Sequence, residues 1–193
     1  MFEPQAAVLI PIDMQQAFDL PGRPRRWNAD LDRNGLALLT AWRAKKLPII
    51  HVINSSANAQ SCFHHAHPGH GFRPGFAPQD GEELVDKSVN SAFIGTDLSA
   101  RLHRLGAGEL VLFGMRTDMC VSSTTRSGAN LGWRVTVVGD ACDCCDLPDV
   151  LGDGIVPAEQ AHRVHLATLA DEFADVVTTS QACARLEGFA PSC

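Results

Sequence analysis

Short apolar runs alternate with segments of helical periodicity along this chain, and the alternation restricts the possible folds more than any other feature. The apolar runs lie at residues 6–13, 48–54, 109–115, 134–141 and 174–179. Runs of this kind are typical of parallel strands buried on both faces. The helical patterns lie at residues 31–46, 98–105, 119–131, 157–173 and 181–186. Together they predict a mostly parallel, doubly wound α/β sheet in three layers, with helices on both faces.

Two stretches depart from the regular pattern. Pro11 lies inside the first apolar run and cannot donate a ladder hydrogen bond. Proline within a sheet is more usual in edge strands or at bulges. Residues 55–82 are irregular and rich in Gly, Pro and His, and a loop of that length is usually functional. Ligands of doubly wound sheets bind beyond the carboxyl ends of the strands. Residues that directly follow the apolar runs are therefore the candidates for a site.

Composition narrows the class of protein. A chain of 193 residues suits one domain, which we place at residues 1–193. The net charge of −6 is spread without a Lys or Arg block, so we expect no nucleic-acid partner. The apolar runs are far shorter than the roughly 20 residues of a membrane span, and no basic segment precedes the first one. We expect a cytoplasmic protein whose seven cysteines are reduced thiols.

Cys120 is the most informative single residue. It follows the run at residues 109–115 after a short turn and begins the next predicted helix. Backbone N–H groups and the helix dipole stabilise a thiolate at such a position, which predicts a lowered Cys120 pKa. The same N–H groups can bind an oxyanion. A cysteine at a helix start is more often a buried small apolar residue, so its position alone does not assign a reaction.

Asp13 and Lys87 are the candidate partners of this thiol. Asp13 lies just past the first predicted strand, and Lys87 follows the long loop. A carboxylate beside a thiol can act as its base, and a nearby cation favours the ionised forms of both. Alone, Asp13 could equally cap a turn and Lys87 could be a solvated surface charge. Spacing and composition leave these alternatives open.

Three segments carry a resemblance to a known family. Asp13 in IDMQQAF, Lys87 in DKSVNSAF and Cys120 in GMRTDMCV resemble the signature segments of the isochorismatase-like cysteine hydrolases, in that family's order. The likeness extends from about residue 6 to residue 179. It implies a sheet of Rossmann-like topology and an Asp, Lys, Cys triad that acts on amides, ureido groups or related small substrates. Isochorismatases proper act on a vinyl ether without such a thiol, so Cys120 indicates similarity to the amidohydrolases.

The resemblance also implies roles for neighbouring groups. A cis peptide bond between Met115 and Arg116 would turn the Arg116 N–H toward the site, where it and the Cys120 N–H would form an oxyanion hole. Phe18 would form an aromatic wall against the substrate. Trp27, Phe93 and Gln15 are further candidates, each as well explained by the core or by a turn. The family further implies a homo-oligomer. We expect this protein to bind a small-molecule substrate and to use no cofactor.

Two clusters invite a metal hypothesis. The first comprises the histidines of the long loop, and the second the cysteines that follow the fourth predicted strand: His64, His65, His67 and His70, and Cys142, Cys144 and Cys145. Nicotinamidases of the family bind a metal through an Asp-x-His pair after the second strand, and HVINSSANAQ lacks that pair. The cysteines lack the paired spacing of structural zinc sites. We predict no metal at either cluster, and a polar loop whose histidines border the pocket or face solvent.

The predicted activity is hydrolysis of a small amide or ureido C–N bond through a thioester acyl-enzyme at Cys120. Two alternatives stay open. One is a metal-assisted deamidase of the nicotinamidase type, and the other is a catalytically silent member that serves as a binding module. Neither the substrate nor the number of subunits follows from the sequence.

Overall fold

The computed structural model describes residues 6–187, which form a six-stranded parallel sheet with helices packed against it. The strands of the sheet are β1 (Ala6–Ile12), β2 (Ile50–Asn54), β3 (Glu83–Lys87), β4 (Ala107–Met115), β5 (Arg134–Asp143) and β8 (Asp175–Val177). A small antiparallel hairpin, β6 (Leu147–Pro148) and β7 (Ile155–Val156), lies apart from it. The strand order is β3-β2-β1-β4-β5-β8, and every pairing is parallel.

The helices cover both faces of the sheet. They are α1 (Leu31–Ala44), α2 (Leu98–Arg104), α3 (Ser122–Asn130), α4 (Ala158–Glu172) and α5 (Thr179–Glu187). From β1 the chain moves to β2 toward one edge of the sheet, and from β4 it moves to β5 and β8 toward the opposite edge. Right-handed crossovers in opposite directions place their helices on opposite faces, and α1 accordingly contacts α5 while α3 contacts α4. The predicted doubly wound α/β class is confirmed.

β1 occupies the centre of the sheet although it contains Pro11. Its residues from Val8 to Ile12 are buried, and the Trp42 Nε1–H of α1 donates to the Ala7 carbonyl at 3.0 Å. The Leu9 N–H donates to Pro48 O and the Asp13 N–H to Val52 O, both on the β2 side. Alternate residues of a strand face the same neighbour, so Pro11 occupies the position between these two bonds. One missing ladder bond is tolerated because both flanking bonds form.

Three parts of the structure differ from the sequence-based prediction. β3 was not predicted as a strand, because it is a short edge strand that contains three charged residues and in which exposed positions alternate with buried ones. The β6–β7 hairpin, with two residues in each strand, was also missed. The helix predicted from residue 119 begins at Ser122 and is preceded by a π-helical turn at Thr117–Val121. Cys193 lies outside the described residues.

Within residues 6–187, no helix is both long enough and apolar enough to cross a membrane.

Candidate active site

Three side chains from distant parts of the chain meet at the carboxyl ends of the central strands. The Lys87 ammonium donates to Asp13 Oδ2 at 2.7 Å and lies 3.3 Å from Cys120 Sγ. Asp13 follows β1, Lys87 ends β3 and Cys120 follows β4. The Lys87 side chain reaches past the neighbouring end of β2, where its Nζ lies 3.4 Å from Asn54 Oδ1. The structure therefore brings the three predicted catalytic residues together, with Lys87 within hydrogen-bonding distance of both Asp13 and Cys120.

Backbone geometry allows β1 and β4 to present these groups so closely. Asp13 adopts a left-handed conformation with φ of 50°, which turns the chain sharply at the end of β1. Gly114, paired with Ile12, has φ of 124°. A Cβ at Gly114 would lie 2.1 Å from the Ile12 carbonyl oxygen. Only glycine fits there, so this residue permits the close approach of the two strand ends that carry Asp13 and Cys120.

The triad is nearly removed from water, and this sets its charge state. Asp13 and Lys87 are each 1% exposed and Cys120 is 9% exposed. Burial raises the pKa of Asp13 and outweighs the opposing effect of the Lys87 ammonium. Burial also raises the pKa of Cys120 to about 12, and the Asp13 carboxylate contributes in the same direction. The expected lowering of the Cys120 pKa by the helix start is wrong for the free protein, because desolvation and a neighbouring negative charge oppose it.

Cys120 is held in the π-helical turn rather than in the first turn of α3. Turns of this kind are rare in proteins, and those that occur are often found at functional sites. The Met115–Arg116 peptide bond at the start of this segment is cis. Arg116 and Cys120, whose N–H groups are the predicted oxyanion donors, both line the same cavity. The Arg116 guanidinium makes two hydrogen bonds to Asp118, at 3.0 and 2.5 Å, and this carboxylate outweighs burial to raise the pKa of Arg116.

A buried hydrogen-bond chain supports this turn from outside the cavity. Thr117 Oγ1 lies 3.0 Å from the Asp143 carbonyl and 2.8 Å from His162 Nδ1. The hydroxyl has one proton, which it donates to the carbonyl, so the His162 Nδ1–H must be the donor to Thr117. His162 of α4 therefore carries a proton on Nδ1, as it does in one neutral tautomer. Burial lowers the pKa of His162 to about 4, consistent with this form.

Amide side chains complete the polar part of the site. Gln15 is fully buried and bridges the ends of β1 and β2, since its Nε2–H donates to Asn54 O at 3.2 Å and its Oε1 accepts from Asn54 N at 2.9 Å. The same Nε2 donates to His70 O at 2.8 Å, which fixes the long loop to the strand ends. Asn90 Oδ1 lies 3.8 Å from Cys120 Sγ. Gln15 positions the site, while Asn54 and Asn90 face the cavity.

The triad opens into a cavity of about 210 Å³. Its lining combines polar residues with apolar walls, and consists of Asp13, Phe18, Arg23, Pro24, Asn54, Phe63, Asn90, Arg116, Met119, Cys120 and Cys145. Phe18 occupies the predicted position, and its ring meets that of Phe63 edge-on at 5.2 Å. The size is below the roughly 300 to 1,000 Å³ typical of pockets for drug-sized molecules. The cavity therefore suits a small substrate.

The sequence missed several of the lining residues. Asn54 could have been found, because it ends a strand at the edge where ligands bind. Asn90 lies within the DKSVNSAF segment that carries Lys87. Arg23 and Phe63 lie in irregular segments, and their meeting at the cavity depends on loop conformation, for which the sequence gives no periodic signal. Trp27 and Phe93 are absent from the lining: Trp27 packs against His162, and Phe93 packs against the core.

The loop histidines mainly stabilise the loop itself. His67 Nδ1 accepts from the Gly69 N–H and His64 Nδ1 from the Ala66 N–H. His70 Nε2 lies 2.8 Å from Ser55 Oγ. These histidines are not part of the cavity lining, to which this loop contributes Phe63. Within residues 6–187, no group of three or more His, Cys, Asp or Glu side chains is arranged to hold a metal ion.

The described cysteines are all free thiols. Of the three that follow the fourth predicted strand, Cys145 lines the cavity and Cys144 Sγ lies 3.1 Å from Asp118 Oδ1. Cys142 is fully buried within β5, and burial raises its pKa to about 12. The three cysteines therefore lie in different environments and do not surround a common centre.

Comparison with known proteins places the chain in a family. Residues 7–181 match the family model described as the isochorismatase domain. The chain belongs to the isochorismatase family. A family member from Bacillus subtilis (strain 168), YrdC, is 36% identical over 173 residues, which are 90% of this chain and 92% of YrdC. The crystal structure of an isochorismatase-family hydrolase from Chromobacterium violaceum superimposes with a TM-score of 0.93, at 37% identity and 97% coverage of both chains.

Other relatives are named for the compounds they hydrolyse. Streptothricin hydrolase of Streptomyces noursei is 30% identical over 85% of this chain and 59% of that protein. Maleamate amidohydrolase of Pseudomonas putida is 30% identical over 59% of this chain and 48% of that enzyme. The protein is accordingly a hydrolase of the isochorismatase family, with amidohydrolases among its relatives.

Proposed function

We propose that this isochorismatase-family protein hydrolyses a small amide or ureido C–N bond through a thioester at Cys120. The observation that carries the proposal is the single Lys87 ammonium bonded to both Asp13 Oδ2 and Cys120 Sγ at the inner end of the cavity. A thiol and a base that both contact one cation are the groups that covalent hydrolysis requires. The amidohydrolases among the relatives support the same reaction class.

Acylation begins with a neutral thiol. Because the Cys120 pKa is about 12, almost no thiolate exists near neutral pH, and Asp13 takes the Sγ proton as Sγ attacks the substrate carbonyl carbon. The raised pKa of Asp13 makes its carboxylate a better proton acceptor than an exposed aspartate. Lys87 keeps the carboxylate and the sulfur in register. The Arg116 and Cys120 N–H groups bind the oxyanion that develops on the carbonyl oxygen.

Collapse of the tetrahedral intermediate breaks the C–N bond. Asp13 returns its proton to the departing nitrogen, so ammonia or an amine leaves and a thioester remains on Cys120. Water then attacks the thioester carbon while Asp13 takes a proton from it. The C–S bond breaks, the product leaves as a carboxylic acid or carbamate, and Sγ recovers its proton.

The test is ammonia release from a panel of small primary amides and ureido acids. Wild-type protein is compared with Cys120→Ala and with the matched control Cys183→Ala, which removes a half-buried thiol of α5 outside the cavity lining. We expect Cys120→Ala to lose activity by about 10⁴-fold or more and Cys183→Ala to retain it.

A second measurement follows the covalent intermediate. Hydroxylamine should intercept the thioester and yield a hydroxamate, and acid-quenched wild-type protein should carry the acyl mass on the peptide that contains Cys120. Full hydrolytic activity in Cys120→Ala would refute the proposed role of this thiol.

A further inference from the structure

Arg23 lines the cavity from a position fixed by two separate segments. Its Nε–H donates to the Ala17 carbonyl at 3.0 Å, and its Nη2 contacts Cys62 Sγ in the long loop. The guanidinium carbon lies 5.8 Å from the centre of the Phe63 ring. A guanidinium held by a carbonyl, a sulfur and an aromatic ring is oriented before any ligand arrives, so less entropy is lost when it binds one.

The charge of Arg23 is the one that the cavity leaves uncompensated. The Lys87 ammonium bonds to Asp13, and the Arg116 guanidinium bonds to Asp118. By contrast, no Asp or Glu side chain among residues 6–187 forms an ion pair with Arg23, although its neighbours Arg25 and Arg26 both form ion pairs. The contacts of Arg23 are a neutral carbonyl, a thiol and a ring, none of which neutralises it. The cavity mouth therefore carries one unpaired positive charge.

We infer that Arg23 binds a carboxylate of the substrate and that the substrates are small acids carrying an amide or ureido group at the other end. This inference rests on the proposed function, since it assigns the non-reacting end of the substrate while Cys120 acts on the reacting end. A guanidinium binds a carboxylate with two parallel hydrogen bonds and therefore orients it as well as attracting it. The apolar side chains of Phe18, Phe63 and Met119 enclose the carbon chain in between.

The small cavity limits the length of this chain. With about 210 Å³ to fill, a linear acid amide of a few carbons fits, and a bulky ring system does not. A series of acid amides from malonamate to adipamate measures the distance between the carboxylate position and Cys120 Sγ. One chain length should place the carboxylate at Arg23 and the amide carbonyl at Sγ at the same time. Shorter or longer members should be poorer substrates.

The kinetic experiment compares matched anionic and neutral amides. Succinamate and succinamide differ only in whether the far end is a carboxylate or a neutral amide. In Arg23→Met, we expect KM for the preferred acid amide to rise about 10- to 100-fold, with kcat changed less than about threefold and the neutral diamide unaffected. Arg23→Lys should recover part of the affinity. Arg25→Met, which removes an exposed arginine paired with Asp146 outside the cavity, is the matched control.

A second readout needs no turnover. Dicarboxylates from malonate to adipate, which resemble the products, should protect Cys120 from alkylation in wild-type protein, with at least a tenfold weaker effect in Arg23→Met. Equal protection in both proteins, or none by any member of the series, would overturn the role of Arg23. Neither result tests the proposed role of Cys120. That role would be refuted by a different result, full amide hydrolysis by Cys120→Ala. Thermal unfolding of each variant shows that it is folded.

Discussion

Replacing Asp13 with asparagine should make the Cys120 thiol more reactive toward an alkylating agent and at the same time a poorer catalyst. The Cys120 pKa of about 12 has burial as its main cause and the Asp13 carboxylate as the next, while Lys87 opposes both. Asp13→Asn removes the negative charge, keeps the size of the side chain and leaves the Lys87 ammonium 3.3 Å from Sγ. The thiolate then gains a net positive neighbour.

The size of the effect follows from the geometry. At an effective dielectric constant of about 20, a unit charge about 4 Å away is worth about 4 kcal/mol, or about 3 pKa units, as an upper limit. Relaxation and water entry reduce this to about 1 to 2 units, which raises the thiolate fraction about 10- to 100-fold. Nucleophilicity falls with pKa at a Brønsted slope of about 0.4 to 0.5. We therefore expect alkylation to accelerate about 3- to 10-fold.

Lys87→Met provides the comparison. Without its ammonium partner, Asp13 should bind a proton more readily still, and Cys120 loses the one neighbour that favours its thiolate. Desolvation persists in this variant, so alkylation should not accelerate. Both variants should lose amide hydrolysis, because one lacks the base and the other lacks the group that orients it. The expected loss for Asp13→Asn is about 10² to 10⁴-fold.

The assay is iodoacetamide labelling at pH 8, followed by peptide mass mapping. The Cys120 peptide reports the rate, and the Cys183 peptide from the same digest serves as the internal reference. Wild-type Cys120 should label slowly, since a pKa of about 12 leaves only about one thiolate in 10⁴ at this pH. Slower labelling of Cys120 in Asp13→Asn than in wild-type protein would refute the reasoning, because Asp13 would then be promoting the thiolate instead of opposing it.

Two further predictions concern stability. Gly114→Ala should cost more than about 3 kcal/mol or prevent folding, because its Cβ would lie 2.1 Å from Ile12 O. Gly81→Ala, also at positive φ but in open space, should cost only about 1 kcal/mol in urea titrations. In the unfolded chain His162 binds a proton below about pH 6.5, whereas in the folded protein it stays neutral down to about pH 4. The free energy of unfolding should therefore fall as the pH drops through this range, by at most about 3 kcal/mol. His162→Asn, which keeps a donor for Thr117, should lose this contribution, and an unchanged pH slope in urea titrations would contradict it.

The sequence predicted the parts of the fold that have strong periodicity. Buried runs such as that of β4 give an unambiguous apolar pattern, and the predicted ends of the helices between them agree with the structure to within three residues. β3 was not predicted because only alternate residues are buried, and its charged sequence resembles that of a loop. Pro11 suggested an edge strand, yet its position between two formed bonds makes a central strand possible. This register depends on the neighbouring strand and cannot be read from β1 alone.

At the candidate site, sequence predicted which residues meet but not their ionisation. Asp13, Lys87 and Cys120 could be placed because parallel strands end at one edge and the family segments occur in order. The lowered Cys120 pKa was wrong because a helix start was considered without the burial and the carboxylate that accompany it. Thr117 and His162 were missed as a pair, since they are 45 residues apart and join only when α4 packs against the π-helical turn.

The neutral resting thiol has a consequence for substrate binding. If Cys120 were a thiolate beside the Asp13 carboxylate, two negative charges would face a single Lys87 ammonium, and the inner end of the cavity would repel an acidic substrate. With the proton on sulfur, Asp13 and Lys87 balance each other, and Arg23 gives the cavity mouth its positive charge. In the proposed mechanism, negative charge then develops only on the reacting carbonyl, where the N–H groups of Arg116 and Cys120 would bind it. A raised thiol pKa and an unpaired arginine are thus two conditions of the preference for anionic amides that we propose.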